Sequence, residues 1–493
     1  MGIEIEDKFD VTQDYTLPDL SDLAASVTGP KSHQLVALYY DTPDLRLAAR
    51  GVTLRRRRGG DDAGWHLKLP KAKGVRQEIQ LPLTRSTRVV PPDLAELVRA
   101  YTRGADLDVV AELDTRRSVT VLRDGDVKLL EVADDRVKAT DRREGGRVVR
   151  WREVEAELLD ESRRALLAKV GKRLRKAGAK PSAAASKLAK VLQPAPPPRA
   201  SCKPGSAGEA VLAYLAGQAD ALLAQDPRVR RAEQDAVHQM RVACRRLRSA
   251  LKAFKTVVTD TERVQEELRW LGNVLGEARD LEVIRDRFGK ELAGLPPELI
   301  VGPVRDRLGA DLLAREHEAY GRIRDALSGE RYYALLDSLD ALVAGPKLGK
   351  AAGKPAQDQL VTIAAHNWSR VTKAYDTAQA VQDPERREIA MHDVRKAAKR
   401  ARYTAEALEP TLGKDMGRLA KLAEDIQEIL GTHQDGVVAQ ETLTKEAESA
   451  RQAGEDTFTY GLLVGIERDS AERAHADFPR VWTETVKAVE KLL

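Results

Sequence analysis

Glu4-Ile5-Glu6-Asp7-Lys8 reads as a β-strand with Glu4, Glu6 and Lys8 on one face and Ile5 and Asp7 on the other, because strand side chains alternate with a period of two. Two carboxylates and an ammonium on one face make a poor hydrophobic core. They make a good wall for a polar cavity that holds a metal ion and an anion. A solvated surface strand gives the same pattern, so the reading turns on whether later strands repeat it.

They do. Gln34–Tyr40 is a short apolar run closed by the turn Asp41-Thr42-Pro43-Asp44, and Gly51–Arg58 places Arg55 and Arg57 on one face. Gly59-Gly60-Asp61-Asp62 reads as a hairpin turn. Trp65–Leu69 sets Trp65, Leu67 and Leu69 against His66 and Lys68, and Val75–Leu83 sets Arg76, Glu78 and Gln80 against Ile79 and Leu81. Pro91–Ala100 has the pattern of a short helix. Val109–Leu122 carries Arg116 and Arg117, and Val127–Val132 returns after Asp124-Gly125-Asp126 with Glu131 in it. Val148–Leu158 presents Glu153, Glu155 and Glu157 on one face, bringing the total to about eight strands.

Closing eight antiparallel strands into a barrel brings the acidic first and last strands together and leaves Arg and Lys on the remaining walls. Hard divalent cations take carboxylate oxygens. Arg and Lys take phosphate oxygens, Arg in bidentate fashion. Such an interior suits a metal-bound polyanion such as a chain of phosphates. An ordinary sandwich with charged outer faces is the alternative that the residues leave open at this point.

These motifs resemble a CYTH domain, the bacterial branch of the triphosphate tunnel metalloenzymes. Glu4, Glu6 and Lys8 match the family's Glu-x-Glu-x-Lys, and Leu54-Arg55-Arg56-Arg57 is similar to its Leu-Arg-x-Arg strand. Lys68, the Arg76-Gln77-Glu78-Ile79-Gln80 strand, Glu131-Val132-Ala133-Asp134-Asp135 and the closing Glu153, Glu155 and Glu157 follow in the family's order. The family's next arginine is most similar to Arg117, with Arg116 beside it in the other register. Gln80 departs from the family's usual third acid, and Ser186-Lys187 is similar to a Ser-Lys pair near the end of such domains. The resemblance spans residues 1–192. It implies hydrolysis, less often cyclisation, of a triphosphate with Mg²⁺ or Mn²⁺. Glu4, Glu6, Glu153, Glu155 and Glu157 would hold one or two ions, and Lys8, Arg55, Arg57, Lys68, Arg76 and Arg117 would cradle the phosphates.

Residues 160–192 read as helical, with a basic run Lys172-Arg173-Leu174-Arg175-Lys176 that suits a solvated face. Residues 193–207, opening Gln193-Pro194-Ala195-Pro196-Pro197-Pro198, form the clearest linker. Residues 208–493 carry helical periodicity and an internal repeat. His238-Gln239-Met240-Arg241-Val242-Ala243-Cys244-Arg245-Arg246-Leu247-Arg248 matches His392-Asp393-Val394-Arg395-Lys396-Ala397-Ala398-Lys399-Arg400-Ala401-Arg402. Downstream, Leu275-Gly276 with Asp280 matches Leu430-Gly431 with Asp435. At about 100° per residue, His238, Arg241, Arg245 and Arg248 share about 80° of arc, as do His392, Arg395, Lys399 and Arg402. Arg246 and Arg400 flank the stripes and Lys252 extends the first. Like charges at such spacing repel, so two repeated stripes suit neutralisation by a polyanion. A solvated face, or ion pairs with neighbouring helices, is the plainer alternative.

This half resembles the CHAD domain, the conserved histidine α-helical domain. The resemblance implies a pseudo-two-fold pair of helical bundles that binds inorganic polyphosphate through the basic helices, with the histidines as phosphate donors. His238, Arg241, Arg245, Arg246, Arg248, His392, Arg395, Lys396, Lys399, Arg400 and Arg402 are the residues it points to.

The fold expected is α+β in two domains: an eight-stranded antiparallel β-barrel tunnel with flanking helices, then an all-α bundle with an internal pseudo-two-fold repeat. Charged residues are 32% and apolar residues 42% of 493, which suits a soluble protein, and no apolar run reaches the length of a membrane span. No basic stretch leads into an apolar one at the N-terminus, so no secretory signal is read. The two cysteines, Cys202 and Cys244, show no metal or disulfide spacing, and a reducing cytoplasm is the simplest setting. Aromatics at 4% are too few for base-stacking platforms, which disfavours nucleic acid as a partner. The leading function is hydrolysis of inorganic triphosphate or short polyphosphate in the tunnel, with polyphosphate held by the helical domain. The alternatives are a non-enzymatic polyphosphate-binding or granule-associated protein, and another triphosphatase or nucleotide cyclase of the tunnel family. Oligomeric state is not legible.

Overall fold

The computed structural model describes residues 2–492 apart from Lys73, Arg88, Glu144 and Gly145. The chain divides into two compact units, residues 1–197 and 198–493.

In the first unit, eight long strands pair antiparallel in the order β5 (Val75–Leu81), β4 (Gly64–Ala72), β3 (Thr53–Arg58), β2 (Ser26–Asp41), β6 (Asp108–Asp124), β7 (Val127–Asp141), β8 (Val148–Leu158), β1 (Gly2–Val11). Pairing of β1 with β5, Glu4 opposite Arg76, closes the barrel. On its other side β1 pairs with β8, Lys8 opposite Glu155. A two-residue strand, β9 (Lys180–Pro181), adds to β1. Several strands are longer than their apolar patterns suggest. The exposed run Ser26–His33 of β2 lacks alternating apolar residues and is held by its ladder to β6, and β7 runs on to Asp141 between β6 and β8. The helical stretch expected over 160–192 is two helices, α2 (Arg164–Lys176) and α3 (Lys187–Leu192), with β9 between them.

The pleat sends alternate residues to opposite sides of the barrel wall. Outward, Ile5, Phe9, Val132, Val154, Ala156 and Leu158 pack beneath α2, which buries Leu167, Val170 and Leu174. Each such side chain contributes about 1.5–3 kcal/mol. Trp65, fully buried, packs against Tyr40 in a tilted pair at 4.9 Å between centroids and donates its indole N–H to Thr84. Inward, the wall changes character along its length. At one end Ala37, Tyr39, Leu113, Val137 and Ala139 receive Leu188, Val191 and Leu192 of α3. That short helix fills the apolar end of the lumen, with Ser186 as its N-cap. The rest of the inner wall is charged.

The second unit is helical: α4 (Ala207–Arg230), α5 (Ala236–Ala253), α6 (Glu262–Gly294), the short α7 (Val304–Asp306), α8 (Leu312–Leu327), α9 (Glu330–Ala344), α10 (Ala356–Ala380), α11 (Pro384–Leu412), α12 (Lys414–Gln452) and α13 (Phe458–Val489). No helix is long and apolar enough to cross a membrane. The repeated motifs fall on α5–α6 and α11–α12, and α5 packs on α11.

One buried polar contact sits between α6 and α13. Arg287 pairs with the fully buried Glu467, and Glu291 hydrogen-bonds the same carboxylate with Arg287 at 3.6 Å. Burial and the charge of Glu467 push the Glu291 carboxyl up to about 8. A carboxyl raised in the folded state holds a proton there that the unfolded chain has released, so its ionisation erodes stability as pH rises from the normal carboxylate range to about 8. Glu291→Gln should therefore unfold at a higher temperature than the wild type, by a margin that widens from pH 5 to pH 9. A margin independent of pH in thermal melts would show that the pair does not share a proton.

Candidate functional site

The charged inner wall of the barrel encloses a cavity of about 90 Å³, room for only a few waters, because its own ion pairs fill it. β1 contributes Glu4, Glu6 and Lys8, β3 Arg55 and Arg57, β4 Lys68, β5 Arg76 and Glu78, β6 Arg117, and β8 Glu155 and Glu157. All six basic residues expected in the tunnel line it, with four of the five expected carboxylates. The fifth, Glu153, is buried toward the plugged end, where Lys187, Lys190 and the Trp151 indole hold it. Of the two adjacent arginines on β6, Arg116 is exposed and Arg117 turns inward. Gln80 is exposed, donates to the Asp62 carbonyl at 3.3 Å and lies outside the cavity lining. The family departure at that position thus removes no carboxylate from this wall.

Tyr39, Thr53 and Asp62 also line the cavity, without having been singled out as site residues from sequence, and so do Ser186 and Lys187, the Ser-Lys pair noted there. Tyr39 sits in an apolar run, and its hydroxyl accepts from Arg55 at 3.4 Å. Asp62, in the β3–β4 turn, contacts the Arg57 guanidinium. His66, beside Lys68, lies 2.9 Å from both Glu78 and the Asp62 carbonyl.

The electrostatics divide the wall. Burial works against the charge of Lys8, yet Glu155 at 2.6 Å and Glu6 at 2.9 Å hold its ammonium above the usual value. Burial, Arg55 and Arg117 push the Arg57 guanidinium down to about 9. Lys68 pairs with Glu4, whose second oxygen is buried without a hydrogen-bond partner. Burial, Glu4 and Glu6 push Glu157 up to about 8. Glu6 lies opposite Glu157 across the β1–β8 ladder, with Glu4 on the same face of β1 and one of its oxygens unpartnered, and these are the hard oxygen donors that a divalent cation takes. Without metal, Glu157→Gln should melt above the wild type by a margin that widens from pH 5 to about pH 8 and then levels off. Its gain in melting temperature on addition of Mg²⁺ should be smaller than the wild type's. An unchanged metal response in differential scanning fluorimetry would remove Glu157 from the metal's surroundings.

In the helical unit the repeat becomes one local geometry made twice. Arg241 of α5 lies over Gly276 of α6 and pairs with Asp280 at 2.8 Å. Arg395 of α11 lies over Gly431 of α12, 3.9 Å from Asp435, and donates to Gln434. A Cβ at Gly431 would meet the Arg395 guanidinium at 2.9 Å, whereas one at Gly276 would stand at ordinary contact, 3.5 Å, from Arg241. His392 bonds Gln434 at 2.6 Å, whereas burial and Arg279 depress the pKa of His238.

The two stripes meet. Burial, Arg395, Arg245 and Arg241 push Lys399 down to about 8. The Nε atoms of Arg245, Arg248 and Arg395 are buried without hydrogen-bond partners. A second convergence follows along α5, where burial, Arg400, Arg248, Arg269 and Arg370 depress Lys252. Lys252, Lys255, Arg370, Arg400 and His366 border a cavity of about 480 Å³ there. Arg269 and Arg370 carry no repeated motif, so only the packing of α6 and α10 brings them in. Other predicted residues point elsewhere. Arg246 and Arg402 share Glu406, Arg402 also pairs with Glu424, and exposed Lys396 pairs with Asp393 on its own helix.

Two family models match this layout. The family model described as CYTH domain matches residues 2–191, and that described as CHAD domain matches residues 213–444. Uncharacterized proteins from two strains of Mycobacterium tuberculosis are 39% identical over 506 residues, covering 99% of this chain and 97% of theirs. Among solved structures, PptA from Streptomyces chartreusis is 22% identical with a TM-score of 0.46, covering 56% of this chain and 99% of its own. The CHAD domain from the plant Ricinus communis is 26% identical with a TM-score of 0.47, covering 58% of this chain and 93% of its own.

Proposed function

The chain belongs to the proteins that join a CYTH domain to a CHAD domain, and on that premise we propose that its barrel hydrolyses inorganic triphosphate or short polyphosphate while its helical unit holds inorganic polyphosphate. The CYTH family acts on phosphoanhydrides with divalent metals. The observation that carries the tunnel assignment is the lining itself: Lys8, Arg55, Arg57, Lys68, Arg76 and Arg117 face Glu4, Glu6, Glu155 and Glu157 across one small cavity. A triphosphate replaces carboxylates as the partner of these bases and releases the ion pairs that now fill the space.

Glu4, Glu6 and Glu157 would hold Mg²⁺ or Mn²⁺, which when bound supplies a Lewis acid at a phosphoryl oxygen or activates water. The remaining work belongs to the chain. Half-buried Arg55 and buried Arg57 on β3, beside Thr53 and Tyr39, present fixed donors to equatorial phosphoryl oxygens as charge develops. Arg117, oriented by two bonds to Asp135 at 2.8 and 2.7 Å, sets the position of the phosphate chain toward the plugged end. Lys68 moves from Glu4 to the incoming anion.

Phosphate release should be measured from triphosphate, long polyphosphate, ATP and thiamine triphosphate, with and without Mg²⁺ or Mn²⁺. Triphosphate should be the best substrate, and Glu4→Gln with Glu6→Gln should abolish the metal-dependent rate with circular dichroism unchanged. Arg57→Ala should lower turnover by a factor on the order of 10². Near-wild-type turnover in the double variant would remove the tunnel assignment.

For the helical unit, the support is a group of bases from both repeats, in which burial and the neighbouring Arg241 and Arg395 depress both Arg245 and Lys399. A polyanion restores the Lys399 proton, so binding of long polyphosphate should take up protons near pH 8 and weaken as pH rises through that value. Calorimetry in buffers of different ionisation enthalpy should detect the uptake, and Lys399→Gln should abolish it. Arg245→Ala with Arg395→Ala and Lys399→Ala should lower the slope of log affinity against log salt by about one per base removed. The same changes should spare triphosphate hydrolysis. Equal losses from neutralising Lys172, Arg175 and Lys176 would mean that bulk charge alone binds the polyanion.

A further inference from the structure

The barrel carries a second group of carboxylates, distinct from Glu4, Glu6 and Glu157. Asp135 on β7 and Glu153 and Glu155 on β8 each bring an oxygen within 4.8 Å of the others, all buried. Adjacent strands place them: Asp135 lies opposite Glu153, and Glu155 follows two residues along the same inner face. The group has the composition of a cation site, and a cation is seated in it. The ammonium of Lys187, the first residue of α3, lies 2.9 Å from Asp135, 2.7 Å from Glu153 and 2.6 Å from Glu155. One ammonium thus forms an ion pair with each of the three carboxylates.

We propose that Lys187 is a built-in counter-cation that keeps the Asp135–Glu153–Glu155 group closed to divalent metal, so that the barrel without phosphate takes one metal ion and not two. The inference rests on the metal-dependent reading of the tunnel and concerns how that metal is counted and placed. Charge balance supports it. Arg117, Lys8, Lys187 and Lys190 already serve the three carboxylates of this group. In the Glu4–Glu6–Glu157 group Glu4 holds Lys68 and Glu6 shares Lys8 with Glu155, while Glu157, opposite Glu6, forms no ion pair among the described residues. Position supports it as well. Leu188, Val191 and Leu192 fix α3 in the apolar end of the lumen, so the Lys187 stem starts from a fixed Cα and only its side chain is free to leave. An ion entering the group breaks three ion pairs, and removing one partner of buried pairs leaves charge uncompensated.

The test counts Mn²⁺ on the full-length protein by equilibrium dialysis and electron paramagnetic resonance, with Mn²⁺ alone as the probe. Wild type should bind one ion in the barrel, lost in Glu4→Gln with Glu6→Gln. Lys187→Met should bind one more ion, and Mn²⁺ should raise its melting temperature more than the wild type's. Lys187→Arg, which keeps the charge, should bind as the wild type does. Glu153→Gln removes a carboxylate of the closed group while leaving the ammonium in place, and it should leave wild-type Mn²⁺ affinity within about twofold. It provides the test should Lys187→Met fail to fold. One ion in both wild type and Lys187→Met would overturn the role of Lys187 while leaving the tunnel's metal intact, as would a tenfold weakening in Glu153→Gln. No Mn²⁺ on any of these proteins would sink the metal-dependent reading and this inference with it.

Discussion

A closed barrel whose inner wall is charged must neutralise that wall from within. Closure leaves no edge for solvent to enter along the strands, and burial of an unpaired ion costs several kcal/mol. Most inward bases therefore find a local acid: Lys8 takes Glu155 and Glu6, Lys68 takes Glu4, Arg117 takes Asp135 and Glu155, and Arg57 meets Asp62, while Arg55 donates to the Tyr39 hydroxyl. Most of these contacts are exchangeable. The same bases that hold carboxylates are placed to hold phosphates, so the resting structure and a loaded one differ in partners more than in fold.

The plug makes this arrangement possible. α3 brings Leu188, Val191 and Leu192 to the apolar end of the lumen and Lys187 to its charged end. A six-residue helix has little stability of its own, so its place depends on the walls that receive it. One short segment both closes the barrel against water and supplies the ammonium that the β7–β8 carboxylates require.

The helical unit solves the opposite problem. It gathers bases and leaves part of them without acid. Arg241 and Arg395 lie over Gly276 and Gly431 of the neighbouring helices, where Asp280 and Asp435 face them. Around them Arg245, Arg248 and Lys399 are depressed by burial and by their neighbours. Charge held at this cost, in two copies facing each other, is the physical basis of the polyanion reading.

The sequence by itself determined the alternation. Period-two charge on β1, β3, β4, β5 and β8 specified strands, and hence which side chains share the lumen, because the pleat leaves no other choice. It also determined the helical repeat, whose spacing places His, Arg and Lys on one stripe. What it left open were matters of distance. Arg116 and Arg117 are equivalent in pattern, and only the β6–β7 register turns Arg117 inward to Asp135. Glu153 shares a face with Glu155 and Glu157, yet its position along the strand puts it beside the plug. Ser26–His33 has no apolar rhythm, and its strand exists because β6 offers a ladder. Arg246 and Arg402 share the composition of the stripe but find Glu406, while Arg370 and Arg269 arrive from helices without a motif. Periodicity is a property of one segment and is written in it. Which carboxylate meets which base is set by closure of the barrel and the crossing of helices, which no single segment contains.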